Sequence, residues 1–289
     1  MNAIQYEAPG SVEDAVALLA QANGEARVLA GGTDLLVQMR AGLVRPGLIV
    51  DVKKIFDMTL IAPDDGGFRI GAATCGERIG ANNSLRAAWP GVVEAAKLIG
   101  STQIQSRATI GGNLCNASPA ADSVPAIIAA GGTCTVAGPD GRRDVAAGDI
   151  ATGPGQTSLG KGEMVVDIRL PARPPRSGSA YLRFIPRTEM DIAVVGAGVC
   201  LSLDEGGVCT AARVTLGAVA PKVLVVEAAA DALIGTPVDE TALQALAAAA
   251  SAACEPIDDI RGTVEFRTKV AGVLARRAAG IALERAGSN

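Results

Sequence analysis

The sequence predicts an α+β protein: an N-terminal α/β unit, a second mixed segment and a small C-terminal domain of antiparallel strands and helices. Three observations carry this. Two glycine-rich segments, Ala30-Gly31-Gly32-Thr33-Asp34 and Thr109-Ile110-Gly111-Gly112-Asn113, follow apolar residues in the first half. A stretch rich in proline, glycine and arginine, Pro171 to Ser179, then interrupts the apolar pattern. Beyond it strand patterns come first and helix patterns last, the order of an α+β domain. The parts are set at 1–55, 56–175 and 176–289.

Residues 11–22 read as a helix with Ser11 as N-cap and Asp14 in the capping-box position. Arg27 to Ala30 is a short buried strand, residues 34–41 a helix, Gly42 its C-cap and Leu48 to Val52 another strand. Gly67 to Ala72 alternates like a strand, and residues 91–99 look helical. Ser118 before Pro119 predicts a helix start, with Gly131-Gly132 as its stop. Thr133 to Ala137 is a strand, with Gly138-Pro139-Asp140-Gly141 as its turn. After Ser179, Ile192 to Val199 and Val208 to Val219 read as strands. Residues 240–253 form an alanine-rich helix. Residues 264–285 form an amphipathic one with Val270, Val273, Leu274 and Ile281 on its buried face.

Composition excludes several functions. Aromatics are 2% of the 289 residues, so aliphatic side chains must build the core and no stacking platform for nucleic acid exists. A net charge of −4 also argues against a nucleic-acid surface. No apolar run approaches the roughly 18 residues of a membrane span. Met1 to Tyr6 lacks the features of a signal peptide, so a cytoplasmic protein is expected. The six cysteines show no Cys-x-x-Cys spacing, so free thiols are expected and no metal site is predicted. There is no histidine, which excludes a Ser-His-Asp triad and removes the usual general base. Any chemistry then belongs to a cofactor.

The glycine segments point to which one. A glycine pair lets backbone N–H groups approach a ligand with no Cβ in the way. At a helix start those groups are unpaired. Two such loops on one domain point to a diphosphate held between them, hence a dinucleotide. Asp34 beside phosphates must cap the helix or accept from a ligand hydroxyl. Asn113, Ser118 and Asp122 follow the second loop, more hydrogen-bonding side chains than a structural turn needs. Gly155-Gln-Thr-Ser-Leu-Gly160-Lys161-Gly162 matches a triphosphate loop until Gly162 stands where Ser or Thr is required; it reads as a turn before a strand over 163–170. The charged residues at 183, 187, 189 and 191 read as a solvated loop, and Pro256 to Thr263 as a helix-entry turn.

In the order and spacing of these motifs the chain resembles the FAD-binding medium subunits of molybdenum hydroxylases. The resemblance runs over nearly the whole chain: Tyr6 to Val16, Ala30 to Leu35, Thr109 to Asp122, Thr152 to Leu159, Arg187 to Ala193 and Asp259 to Thr263. It implies a two-lobed FAD-binding domain of the PCMH or vanillyl-alcohol-oxidase type, with lobes 1–55 and 56–175. It implies non-covalent FAD, since there is no histidine for attachment. Val28, Leu29, Ala30, Gly31, Gly32, Thr33, Asp34 and Leu35 would wrap the diphosphate, and Thr109, Ile110, Gly111, Gly112 and Asn113 would hold its other side. Ile99 and Asp122 would touch the cofactor, Leu159 its flavin end, Arg183 would stand near a lysine position of relatives, and Ile192 would cover the isoalloxazine face. No catalytic residue and no metal are expected on this chain. Molybdopterin and [2Fe-2S] clusters would sit on a large and a small partner subunit, in a dimer of heterotrimers, and electrons would leave FAD for an external acceptor. The alternative is a self-sufficient FAD oxidoreductase, whose only acid–base candidates are Tyr181, Glu189 and Asp191. A non-catalytic nucleotide-binding module is a third possibility.

Overall fold

The computed structural model describes residues 4–288; Met1 to Ala3, within the stretch read for a leader, lie outside the described residues. The first lobe comprises β1 (Gln5–Glu7), α1 (Val12–Gln21), β2 (Ala26–Leu29), α2 (Leu35–Arg40) and β3 (Leu48–Asp51). Its strands form a parallel sheet in the order β1-β3-β2. Ser11 caps α1 as expected, its Oγ accepting from Asp14 N at 3.1 Å. Val12, Ala15, Val16 and Leu19 form the buried stripe of that helix. Gly42, at φ +73°, ends α2, with Leu43 N donating to Gln38 O and Gly42 N to Met39 O.

The second lobe carries β4 (Ile61–Asp64), β5 (Gly67–Gly71), six short helices and β6 to β10. The helices are α3 (Gly76–Ala81), α4 (Asn83–Ala88), α5 (Pro90–Ala96), α6 (Thr102–Gln105), α7 (Ile110–Cys115) and α8 (Ser123–Ala129). Then come β6 (Thr133–Gly138), β7 (Gly141–Ala146), β8 (Ala151–Gly153), β9 (Gln156–Thr157) and β10 (Met164–Leu170). A five-stranded antiparallel sheet runs β4-β5-β10-β6-β7, and its middle strand β10 is buried almost throughout. The helix expected from Ser118 begins five residues later. Residues 118–121 form a turn closed by Ala121 N to Ser118 O at 3.0 Å, and Asp122 takes the N-cap place. Gly131, at φ +75°, and Gly132 end α8 as expected, donating to Ile128 O and Ile127 O.

The C-terminal domain has one antiparallel sheet, β11 (Ser177–Phe184), β12 (Val195–Leu203), β13 (Cys209–Gly217) and β14 (Leu224–Val225), in that order. The strand expected from Ile192 starts at Val195. Helices α9 (Glu227–Asp231), α10 (Glu240–Ala252) and α11 (Val264–Gly287) complete it. The long last helix is present, and of the four large residues expected to share a face Leu274 is buried, Val270 and Ile281 pack half-buried against the core, and Val273 is exposed. Ala271, Ala275, Ala278, Ala279, Ala282 and Ala286 are buried with Leu274, while Val273 is 41% exposed. The reason is close approach: a Cβ at Gly178 of β11 would overlap Ala282 O of α11. Small residues therefore make up most of the face of a helix lying that near a sheet.

The other face of this sheet receives α5 and α8 of the second lobe. An added Cβ at Gly91 of α5 would meet Ala180 at 3.0 Å. One at Gly198 of β12 would meet Pro125 O of α8 at 2.9 Å. Thr215 Oγ1 donates to that carbonyl at 2.8 Å, and Glu94 accepts from Tyr181 N at 3.1 Å and from Arg285. No described helix is long and apolar enough to cross a membrane.

These contacts set a stability contrast. Ala275→Leu is expected to cost about 1–3 kcal/mol through overpacking under α11. Val273→Ala is expected to stay within about 0.5 kcal/mol. Urea unfolding followed by circular dichroism separates the two.

Candidate functional site

The two glycine loops touch. A Cβ at Gly31 would overlap the Arg107 carbonyl oxygen and reach Ala108 Cα at 3.0 Å. A Cβ at Gly111 would overlap Ala72 O and sit 2.6 Å from Ala72 Cβ. Glycine at 31 therefore lets the loops close on one another, and glycine at 111 seats the second loop on the end of β5. Gly32 serves differently: its φ of +79° turns the chain from β2 into α2.

Between the loops lies a cavity of about 630 Å³, within the usual range for cofactor sites. Among the residues expected at a ligand, Val28, Ala30, Gly31, Gly32, Thr33, Asp34, Leu35, Ile99, Thr109, Gly111, Gly112, Asn113 and Leu159 line it. No described residue accepts a hydrogen bond from the backbone N–H of Gly31, Gly32, Thr33 or Asp34. The Gly111 N–H has no acceptor either. Gly31 to Asp34 are half-buried or exposed on the cavity wall at the start of α2, where unpaired N–H groups are open to an external acceptor. Helices α2 and α7 have only six residues each, so these local N–H groups, rather than a long helix dipole, define the site.

The side chains at the loops divide into supports and free groups. Thr109 Oγ1 caps α7, accepting from Gly112 N at 3.0 Å. Asn113 Oδ1 is turned away to hold the start of α8, accepting from Ser123 N at 3.0 Å and Ser123 Oγ at 2.7 Å. Asp34 does not cap α2 with its carboxylate and has no other partner among the described residues. Burial raises its pKa. Of the two expectations for Asp34, the cap on α2 is not formed.

Five expected residues stand outside the cavity wall. Ile110 is fully buried in the core, since its position in α7 points it into the lobe. Leu29 backs the first loop, its Cδ1 being 2.9 Å from where a Gly32 Cβ would lie. Asp122 and Arg183 form a buried ion pair at 2.9 Å, and Arg183 also donates to Leu98 O at 2.8 Å, next to Ile99. Arg183 is thus no solvated loop residue. Burial raises Asp122 to about 6 against the opposing pull of Arg183 and Tyr181, and its Oδ1 has no hydrogen-bond partner. Ile192 lies on the C-terminal domain and is 52% exposed.

The turn after β9 adds residues the expectation had set aside. Gly155, Thr157, Gly160, Lys161, Gly162 and Glu163 all line the cavity. The near-match to a triphosphate loop drew attention away from them. Gly155 and Thr157 fall in the Thr152 to Leu159 stretch of the resemblance, while Gly160 to Glu163 have only the glycine density of the turn as a signal. The acid–base candidates fare poorly. Tyr181 is buried, its phenol pushed well above 10 by burial first and by Asp122 second. Asp191 is held at about 2, chiefly by Arg187. No described group of His, Cys, Asp or Glu is placed to hold a metal, and the cysteines are free.

The fold and the cavity define a two-lobed dinucleotide-binding domain with an appended α+β domain. Residues 2–173 match the FAD binding domain in molybdopterin dehydrogenase, and residues 180–282 match the CO dehydrogenase flavoprotein C-terminal domain. The chain is 37% identical to the carbon monoxide dehydrogenase medium chain of Afipia carboxidovorans, over 96% of each. It is 30% identical to the xanthine dehydrogenase FAD-binding subunit of Escherichia coli O157:H7, over 98% of this chain and 97% of that one. It superimposes on a chain of reconstituted CO dehydrogenase from Oligotropha carboxidovorans with a TM-score of 0.94 at 37% identity, covering 98% of each. The protein belongs to the family of FAD-binding medium subunits of molybdenum hydroxylases, and is a flavoprotein oxidoreductase subunit. FAD fits the residues present: the glycines let the two loops close around one cavity, the unpaired N–H groups of the first loop would be available to its diphosphate, and the Asp34 carboxylate to one of its hydroxyls.

The Asp122 carboxyl sets a pH dependence. Its folded-state pKa of about 6 lies above the ordinary 3.8, so the stability it contributes is present at low pH and lost as pH rises through about 6. The chain has no histidine, and Glu163 and Asp191 are held at about 2, so they do not titrate there. The melting temperature is expected to fall as pH rises from about 4 to about 6, with Asp34, also raised by burial, adding to the same slope, and Asp122→Asn to reduce it, as read by thermal scans across the range.

Proposed function

We propose that this chain is the FAD-carrying electron-transfer subunit of a heteromeric molybdenum hydroxylase. Substrate would be hydroxylated on a large molybdopterin subunit, and a small subunit with [2Fe-2S] clusters would pass the electrons on. The observation that supports it most is the row of unpaired N–H groups from Gly31 to Asp34, facing the Gly111 loop across one cavity. When bound, FAD supplies the redox chemistry, taking up electrons from iron–sulfur centres and releasing them to an external acceptor.

The residues of the chain bind and orient. The backbones of Ala30 to Asp34 and of Thr109 to Asn113 hold the diphosphate, Val28 and Leu35 flank it, and Asp34 accepts from a sugar or ribityl hydroxyl. Leu29 and Ile110 hold the loops in place from behind. Ile99 and Leu159 give the apolar wall. Through Leu98, the Asp122–Arg183 pair steadies the Ile99 segment, which we assign to the isoalloxazine end, with Ile192 as its aliphatic cover. The lobes 1–55 and 56–175 form the FAD domain, and 176–289 the appended domain. Assembly as a dimer of heterotrimers and a cytoplasmic location belong to the same proposal. Tyr181 and Asp191 are engaged elsewhere and lie off the cavity wall, which speaks against a self-sufficient oxidoreductase.

Gly32→Val and Gly111→Val are expected to abolish FAD binding while the C-terminal domain stays folded. A β-branched side chain is strained at φ +79° in the first case and collides with Ala72 in the second. Full flavin absorbance in both variants would overturn the site. The purified chain with FAD is expected to turn over no hydroxylase substrate. In the complex, substrate is expected to bleach the flavin absorbance. Turnover by the chain alone would overturn the partner assignment.

A further inference from the structure

The turn that resembles a triphosphate loop is rigid, and it carries one unengaged cation into the cavity. Gly155 N donates to Ala117 O at 3.0 Å and Ser158 N to Ile150 O at 2.8 Å. The Glu163 carboxylate accepts from Gly160 N at 2.7 Å and from both Arg143 nitrogens at 2.8 Å. A Cβ at Gly162, where φ is +83°, would lie 3.0 Å from Ala20 Cβ and from Pro139 Cγ, so the tip is wedged between α1 and the β6–β7 turn. Lys161 sits on this tip.

Four charged side chains line the cavity: Arg27, Asp34, Lys161 and Glu163. Arg27 is engaged by Glu25, with Nε 2.7 Å from its carboxylate, and Glu163 is engaged by Arg143. Asp34 adds a negative charge and has no partner. Lys161 has no hydrogen-bond or ion-pair partner among the described residues. The glycine loops offer neutral donors only, so a diphosphate entering beside Asp34 brings anionic charge that these loops do not balance. A lysine on a fixed turn is a point charge on a flexible stem, suited to meet phosphate without bidentate geometry.

We propose that Lys161 is the counter-charge for the diphosphate of the dinucleotide bound in this cavity. The proposal rests on the assignment of FAD to the site, and the role is one of binding and positioning. The apo chain is titrated with FAD, followed by flavin fluorescence, and with ADP, followed by calorimetry, at low and high salt. Lys161→Ala is expected to weaken both ligands about tenfold and to reduce the salt dependence of both. Lys161→Arg is expected to stay within about twofold of the parent. Arg27→Ala is expected to do the same, because its guanidinium is already engaged. Melting curves of the apo variants check that the fold is retained. Affinities of Lys161→Ala within twofold of the parent overturn the role of Lys161, and so does a loss carried by Arg27→Ala instead. A parent chain that binds neither FAD nor ADP overturns the assignment of the site itself, so the two failures are distinguishable.

Discussion

The site depends on one van der Waals contact between backbones, Gly31 against the Arg107–Ala108 peptide. The two loops come from different lobes, one joining β2 to α2 and the other joining α6 to α7. Beyond that contact Gln38 Nε2 donates to Asn116 Oδ1 at 2.9 Å and joins the helices that follow the two loops. A single hydrogen atom in place of a Cβ lets them meet, and the row of unpaired N–H groups then faces the second loop across a narrow gap. Everything attributed to the cavity follows from that approach: its shape, its donors and its ability to hold a diphosphate from two sides.

The chemistry of the wall is sparse by design of its composition. With no histidine, no cysteine cluster and its buried phenol locked against an ion pair, the chain has little with which to move protons. It has instead many ways to fix backbone. Thr109 and Ser11 cap helices, Asn113 ties α7 to α8, and the Glu163 carboxylate closes a turn. Such a framework suits a subunit whose part is to hold a redox group still.

Much of this was legible in the residues. Local signals worked where the chain decides its own conformation: the Ser11 cap, the Gly42 and Gly131 stops, and the glycine turns of both loops. Long-range packing was not legible. The face of α11 is legible in part: Leu274, Val270 and Ile281 meet the core, but the six buried alanines that make most of the contact with the sheet carry no signal of their own. The burial of Arg183 is not legible in its polar surroundings, because its partner Asp122 is far away in sequence. Asn113 lines the cavity as expected, but its side-chain carbonyl is given to the start of α8, a partner ten residues on that local sequence does not reveal, and Ser118 opens a turn. The turn at Lys161 was passed over because its resemblance was to the wrong phosphate loop.

The C-terminal sheet is covered on one side by its own α11 and on the other by α5 and α8 from the preceding domain. Pro171 to Ser179 is therefore a joint in sequence but not a hinge in space. Severing the chain there would strip apolar cover from both pieces at once, leaving two complementary sticky faces in water. The halves are better thought of as one object with a seam than as modules to be traded between proteins.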